Sequence, residues 1–163
     1  MEQSASTSTY AGPTWPSEPR RTGRRGGVAR RAFIDSSVWI GHLSARDRLH
    51  HQAEGAIRDA LERRIALLTT NLVIAEVHRW LLFRAGPLAS RAALARIEQS
   101  AALTIVFGTA DHHARARYWL ERLADQRLSY TDAVSFAVME ATRCSIALTF
   151  DSDFTVAGFT RLP

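Results

Sequence analysis

The chain contains no lysine: all 21 basic residues among its 163 are arginine. A receiver-type domain, which sets a lysine beside its acids, is therefore excluded. Cysteine occurs once, as Cys144. A single thiol builds neither an intrachain disulfide framework nor a thiolate zinc cluster, so a reducing compartment is the expected setting. Cys144 lies among apolar residues and reads as a buried, inert thiol. Long apolar runs are missing as well. No stretch of about 7–15 apolar residues follows the early arginines before Asp35 interrupts, which argues against a secretory signal or a membrane span and for a cytoplasmic protein.

Hydrophobic residues make up 46% of the chain, enough for one domain with a sizeable core. The formal charge is +5, but it is unevenly spread. Residues 1–31 hold six arginines against Glu2 and Glu18, whereas residues 32–163 hold 15 arginines against 14 acids. The foldable part is thus close to neutral, and a sequence pI near 10.5 says little about nucleic-acid binding by the domain. Residues 1–31, rich in Ser, Thr, Pro, Gly and Arg without apolar periodicity, read as a disordered tail before a domain over 32–163. Translation starting near Val28 is a second reading of that boundary.

Apolar periodicity organises the rest. Ala32 to Ile34 reads as a short buried strand ending on Asp35, with Ser36 or Ser37 capping a helix through Leu43. A second helix over 49–64 leads to a strand over 65–69. A cap at Thr69-Thr70-Asn71 opens a largely buried helix over 72–82, which Gly86-Pro87 separates from an alanine-rich helix over 88–102. A strand over 103–107, a helix over 110–126, a helix from Tyr130, a strand over 145–150 and a short strand over 159–162 complete the pattern. This alternation predicts an α/β fold: a three-layer α/β/α sandwich around a mostly parallel, four- to five-stranded sheet. His50, His51, Asp111, His112 and His113 read as surface groups, and Tyr118 and Trp119 as core aromatics.

Four acids stand out. Asp35 and Asp151 each follow a buried strand, where parallel sheets bind ligands, and Asp132 lies in the first turn of a helix. Glu76 interrupts an apolar helix, so it either pairs with His78 or Arg79 or serves as a ligand. Asp132 is open to two readings too, a dipole-favoured structural acid or a functional one. If the four share a pocket, two like charges ~4 Å apart repel by roughly 4 kcal/mol at an effective dielectric of ~20, which favours a bound cation or partial protonation. Oxygen-only donors select Mg²⁺ or Mn²⁺ over zinc.

The motifs Phe33-Ile34-Asp35-Ser36-Ser37-Val38, Thr70-Asn71-Leu72-Val73-Ile74-Ala75-Glu76, Tyr130-Thr131-Asp132-Ala133-Val134-Ser135-Phe136 and Leu148-Thr149-Phe150-Asp151-Ser152-Asp153-Phe154, in this order and spacing, resemble PIN-domain nucleases, particularly the VapC ribonuclease toxins of toxin–antitoxin modules. The family commonly carries Thr where Ser36 stands, which keeps the hydroxyl. The resemblance spans about 32–163. It implies Asp35, Glu76, Asp132 and Asp151 as catalytic, metal-binding acids, with Asp153 a helper or an alternative to Asp151. It also implies Mg²⁺- or Mn²⁺-dependent hydrolysis of RNA leaving a 5′-phosphate and a 3′-hydroxyl, a homodimer, and a cognate antitoxin whose C-terminal segment covers the acidic pocket. Ser36 or Thr131 would orient a carboxylate or the phosphate, or cap a helix, and Arg79 and Arg84 would guide RNA. Two alternatives remain: a PIN-like module that binds RNA or protein without cutting, and a haloacid-dehalogenase-type phosphatase. The phosphatase needs a second Asp where Ser37 stands.

Overall fold

The computed structural model describes residues 30–162. The expectations for the tail up to residue 29, including a start at Val28, lie outside these residues. Eleven elements follow in order: β1 (Arg31–Ile34), α1 (Ser36–Leu43), α2 (His50–Glu62), β2 (Ala66–Thr70), α3 (Asn71–Glu98), β3 (Leu103–Val106), α4 (Ala110–Arg122), α5 (Tyr130–Ala141), β4 (Ile146–Leu148), α6 (Asp153–Val156) and β5 (Thr160–Leu162). The strands form one sheet in the order β3-β2-β1-β4-β5, and every neighbouring pair is parallel. Helices flank the sheet, giving the expected three-layer α/β/α architecture. Arg31, assigned to the tail by composition, opens β1 and pairs with Ala66.

The strand sequences explain the layering. Ala32, Phe33 and Ile34 are wholly buried and lack polar alternation, as a central strand covered on both faces requires. β1 lies in the middle, so the chain winds outward to β2 and β3, then returns to β4 and β5 on the other side. That reversal opens a crevice at the carboxyl ends of β1 and β4, the usual ligand position in doubly wound sheets. Register fixes what faces it. Phe33 pairs with Ala147 and Ile34 with Leu148, and the Asp35 N–H donates to the Leu148 carbonyl at 3.1 Å. The next step along each strand therefore sets Asp35 beside Thr149.

α5 is the best-buried helix. Ala133 to Met139 are all buried, with Phe136 packed edge-to-face on Phe154 at 4.9 Å and on Trp119 at 5.4 Å between ring centroids. Arg115 of α4 grips Glu140 of α5 through two hydrogen bonds of 2.6 and 2.7 Å, and the Trp119 indole N–H adds a third at 3.1 Å. Trp119 is in the core as its type suggests, but Tyr118 is 40% exposed, because it lies on the outer side of α4 under the Arg115 guanidinium.

The predicted interruption at Gly86-Pro87 is present as a kink inside α3. Gly86 adopts φ +85°, a conformation that side-chain-bearing residues disfavour, and Pro87 follows without an N–H to donate. The segment before the kink is less buried than its apolar composition suggests. Ala75, Glu76, Arg79 and Phe83 form one exposed face, with Phe83 77% exposed.

Truncating Phe136 to Ala removes a fully buried ring that several aromatics enclose. The expected loss is about 3–5 kcal/mol. Chemical denaturation of the variant against the unaltered protein measures it.

Candidate active site

Asp35 is the most constrained acid. It is 3% exposed, and its backbone is extended (φ −89°, ψ 165°) just ahead of α1. Its carboxylate, rather than Ser36 or Ser37, caps α1: Oδ2 accepts from the Ser37 N–H at 3.2 Å. The same oxygen accepts from the Ser37 hydroxyl at 2.7 Å and the Thr149 hydroxyl at 3.0 Å. Oδ1 has only the Ser36 hydroxyl, at 3.4 Å. One oxygen is therefore saturated by hydroxyls while the other is nearly free. Ser37 also accepts from the Phe150 N–H and Thr149 from the Asp151 N–H, so the hydroxyls tie β1 to the loop after β4.

Asp132 occupies the third position of α5, where it forms a reciprocal capping box with Ser129. Its Oδ2 accepts from the Ser129 hydroxyl at 2.6 Å and from the Ser129 N–H at 3.2 Å. Burial, and then the charges of Asp35 and Asp151, nevertheless push its pKa up to about 6, against the opposing pull of Ser129. Glu76, in the second turn of α3, is exposed. Partial loss of water, the charge of Asp35 and the charge of Asp151 hold its carboxyl above the ordinary range, and the Ser36 hydroxyl pulls the other way. Ser36 thus lies between Asp35 and Glu76.

Asp151 accepts from the Asp153 N–H at 2.9 Å, and its charge reaches both Glu76 and Asp132. Asp153 is raised by burial and by Asp151. It couples to its neighbour rather than to the other three acids. Thr131 does not take the cap of α5, which belongs to Ser129, and its carbonyl accepts from the Ser135 hydroxyl at 2.8 Å. Neither His78 nor Arg79 pairs with Glu76. Among the described residues the ion pairs are His50 with Glu54 and Arg115 with Glu140, so no cation touches the four acids.

The four carboxylates consequently share one electrostatic field without a counter-charge. Among the described residues, no three His, Cys, Asp or Glu side chains already stand in metal-ligating distance of one another. The donor chemistry still suits a hard divalent cation: oxygen ligands only, a half-free Asp35 oxygen, and raised pKa values that a cation would relieve.

The histidines divide. His51, Asp111 and His113 are exposed as their pattern suggests, and His112 completes the capping box of α4. His50 is a correction: it is part-buried, and its Nδ1 lies 2.8 Å from the Gly41 carbonyl because α2 packs tightly across α1 there. Cys144 is 3% exposed, and burial raises its thiol pKa, consistent with an inert group. Sequence patterns missed Ser37 and Thr149 as partners of Asp35. The only local signal for Thr149 is a hydroxyl residue ending an apolar strand.

A parallel sheet with acids gathered at its reversal crevice defines a class of doubly wound α/β domain, and comparison with known proteins identifies it. The chain belongs to the PIN-domain family, whose model matches residues 32–159. Within that family it is similar to the 23S rRNA-specific endonuclease VapC20 of Mycobacterium tuberculosis, at 35% identity over 127 residues, covering 78% of this chain and 94% of the relative. The crystal structure of M. tuberculosis VapC20, described as a Sarcin-Ricin loop cleaving toxin, superposes with a TM-score of 0.69 at 33% identity, covering 79% of this chain and 96% of that one. FitAcB from Neisseria gonorrhoeae shares the fold, with a TM-score of 0.59 at 14% identity over 81% of this chain and 96% of that one. PIN-domain nucleases as a class use divalent metals.

Two predictions follow from the site's electrostatics. Asp132 takes up its proton more readily when folded, so its contribution favours folding below pH 3.8 and is lost as pH rises through about 6. In metal-free buffer Asp132→Asn, which keeps an acceptor for Ser129, should therefore stabilise the protein by about 1–2 kcal/mol at pH 8, with the advantage vanishing near pH 4, read by thermal unfolding across pH. Thr149→Val and Ser37→Ala each release the held oxygen of Asp35. Each should weaken divalent-metal affinity about 10–100-fold by calorimetry while leaving the fold intact by circular dichroism.

Proposed function

We propose that Asp35, Glu76, Asp132 and Asp151 hold Mg²⁺ or Mn²⁺ and that the chain is a metal-dependent endoribonuclease, the toxin of a toxin–antitoxin pair. The observation that carries this reading is the set of four acids at the reversal crevice, mutually repelling and without a cationic partner among the described residues. A divalent ion there supplies a lowered water pKa and neutralises charge on a phosphate. The chain's own residues do the rest. Ser37 and Thr149 fix Asp35 so that one oxygen faces the ligand, and Ser129 anchors Asp132 at the start of a rigid helix. Asp153 supports Asp151 through its backbone N–H. Ser36, between Asp35 and Glu76, is placed to orient either carboxylate.

The substrate we favour is a loop of 23S ribosomal RNA, on the strength of the activity named for the M. tuberculosis relative and the extent of the match. Arg79 follows Glu76 by three positions on the same exposed face of α3, and Arg84 lies further along, each stacked on an aromatic ring and available to phosphates. The cytoplasm is the proposed setting, and no described helix is long and apolar enough to cross a membrane. A homodimer and an antitoxin that covers the acids complete the proposal.

Cleavage of 23S ribosomal RNA by the purified protein should require Mg²⁺ or Mn²⁺ and stop with chelator. Asp35→Asn and Asp132→Asn should each slow it by more than about a hundredfold, beyond the 10–100-fold typical of groups that merely orient a ligand. Metal-independent cutting, or full activity in both variants, would overturn the assignment.

A further inference from the structure

Beside the acids, on the β3 side of the crevice, lies a second recess of about 320 Å³ lined by Asn71, Leu72, His112, His113, Tyr130 and Val134. This volume is at the lower end of the range of small-ligand pockets, about 300–1,000 Å³, and suits a single ring system. Two of its walls come from helices that carry the acids, Asn71 opening α3 ahead of Glu76 and Tyr130 opening α5 two positions before Asp132, and the third is the first turn of α4 with His112 and His113.

The walls have a definite chemistry. Tyr130 is 44% exposed, and its hydroxyl lies 2.8 Å from His113 Nδ1, which holds the phenol ring in place as a stacking surface. Leu72 and Val134 add apolar lining. Asn71 Oδ1 accepts from the Gly108 N–H at 3.0 Å, which fixes the amide orientation and leaves its NH₂ without a partner among the described residues. His112 Nδ1 accepts from the Thr109 N–H at 3.2 Å, so the neutral ring carries its proton on Nε2. The recess therefore combines one aromatic face with two free donor groups and has no carboxylate in its lining.

The geometry points to a nucleobase subsite that takes a guanine flanking the cleaved bond, stacked on Tyr130 and read at its N7 and O6 acceptors by Asn71 and His112. Guanine offers two adjacent acceptors on that edge, whereas adenine sets an amino donor against the donors of the pocket. Aromatic stacking of an unpaired base is the usual anchor in RNA recognition. The inference rests on the nuclease reading above, because the acids define where the scissile phosphate lies.

The test uses RNA hairpins in which each loop guanosine is replaced in turn by inosine, adenosine or an abasic nucleotide, cleaved by the full chain in Mg²⁺ or Mn²⁺. At one position beside the cut, inosine should behave as guanosine, while adenosine and the abasic site slow the reaction by about ten- to a hundredfold. In Tyr130→Ala that sensitivity to the abasic site should disappear, and Tyr130→Phe should retain most of it. Equal sensitivity in Tyr130→Ala, with cleavage otherwise intact, overturns the subsite and leaves the nuclease. If the unaltered protein cuts no RNA, the nuclease reading fails. Fluorescence anisotropy of the same hairpins then decides the pocket, a Tyr130-dependent guanine preference in binding upholding it and uniform binding overturning it.

Discussion

A carboxylate kept from water without a counter-ion is the constraint on which the rest of this domain depends. Asp35 is 3% exposed, and hydroxyls and one N–H, not a guanidinium, surround it. Burying an unpaired charge is costly, and the cost falls only when hydrogen bonds replace the lost hydration. Here three come from Ser36 and Ser37, next in the chain, and the fourth from Thr149, 114 positions away and brought close by the parallel pairing of β1 and β4. Its charge then spreads outward. Glu76 and Asp132 are both held above their ordinary ranges, first by burial and then in part by the charge of Asp35. Stability is thereby traded for a site that welcomes positive charge.

Arginine is the only strong cation of the chain, and where it goes is informative. Arg115 is committed to Glu140, where it fastens α4 to α5 behind the crevice. Arg79 and Arg84 stack on Phe83 and Trp80 along α3. Among the described residues none neutralises the acids, although 15 arginines lie within residues 32–163. The fold separates structural pairing from the crevice, leaving the acidic edge open to a ligand that brings its own charge.

Much of this was legible in the residue order. Uninterrupted apolar runs such as Ala32 to Ile34 read as buried strands because both of their faces are covered, and the acids at their ends mark the carboxyl edge of the sheet. Gly86-Pro87 announced its break through backbone chemistry alone. What periodicity could not supply was register. The partnership of Asp35 with Thr149 depends on which residue of β4 faces which residue of β1, and the alignment of His113 with Tyr130 depends on how α4 docks on α5. Composition also misled about Glu76. An acid among apolar neighbours suggested burial, but the helix turns it outward together with Arg79 and Phe83, so it needs no salt bridge.

The unbroken burial of Ala133 to Met139 carries a consequence for how this protein fails. Asp132 stands one residue ahead of that run, in the first turn of the same helix, so melting α5 displaces the acid as well. Loss of function through damage should be abrupt, tracking collapse of the whole domain rather than gradual loosening at its edge.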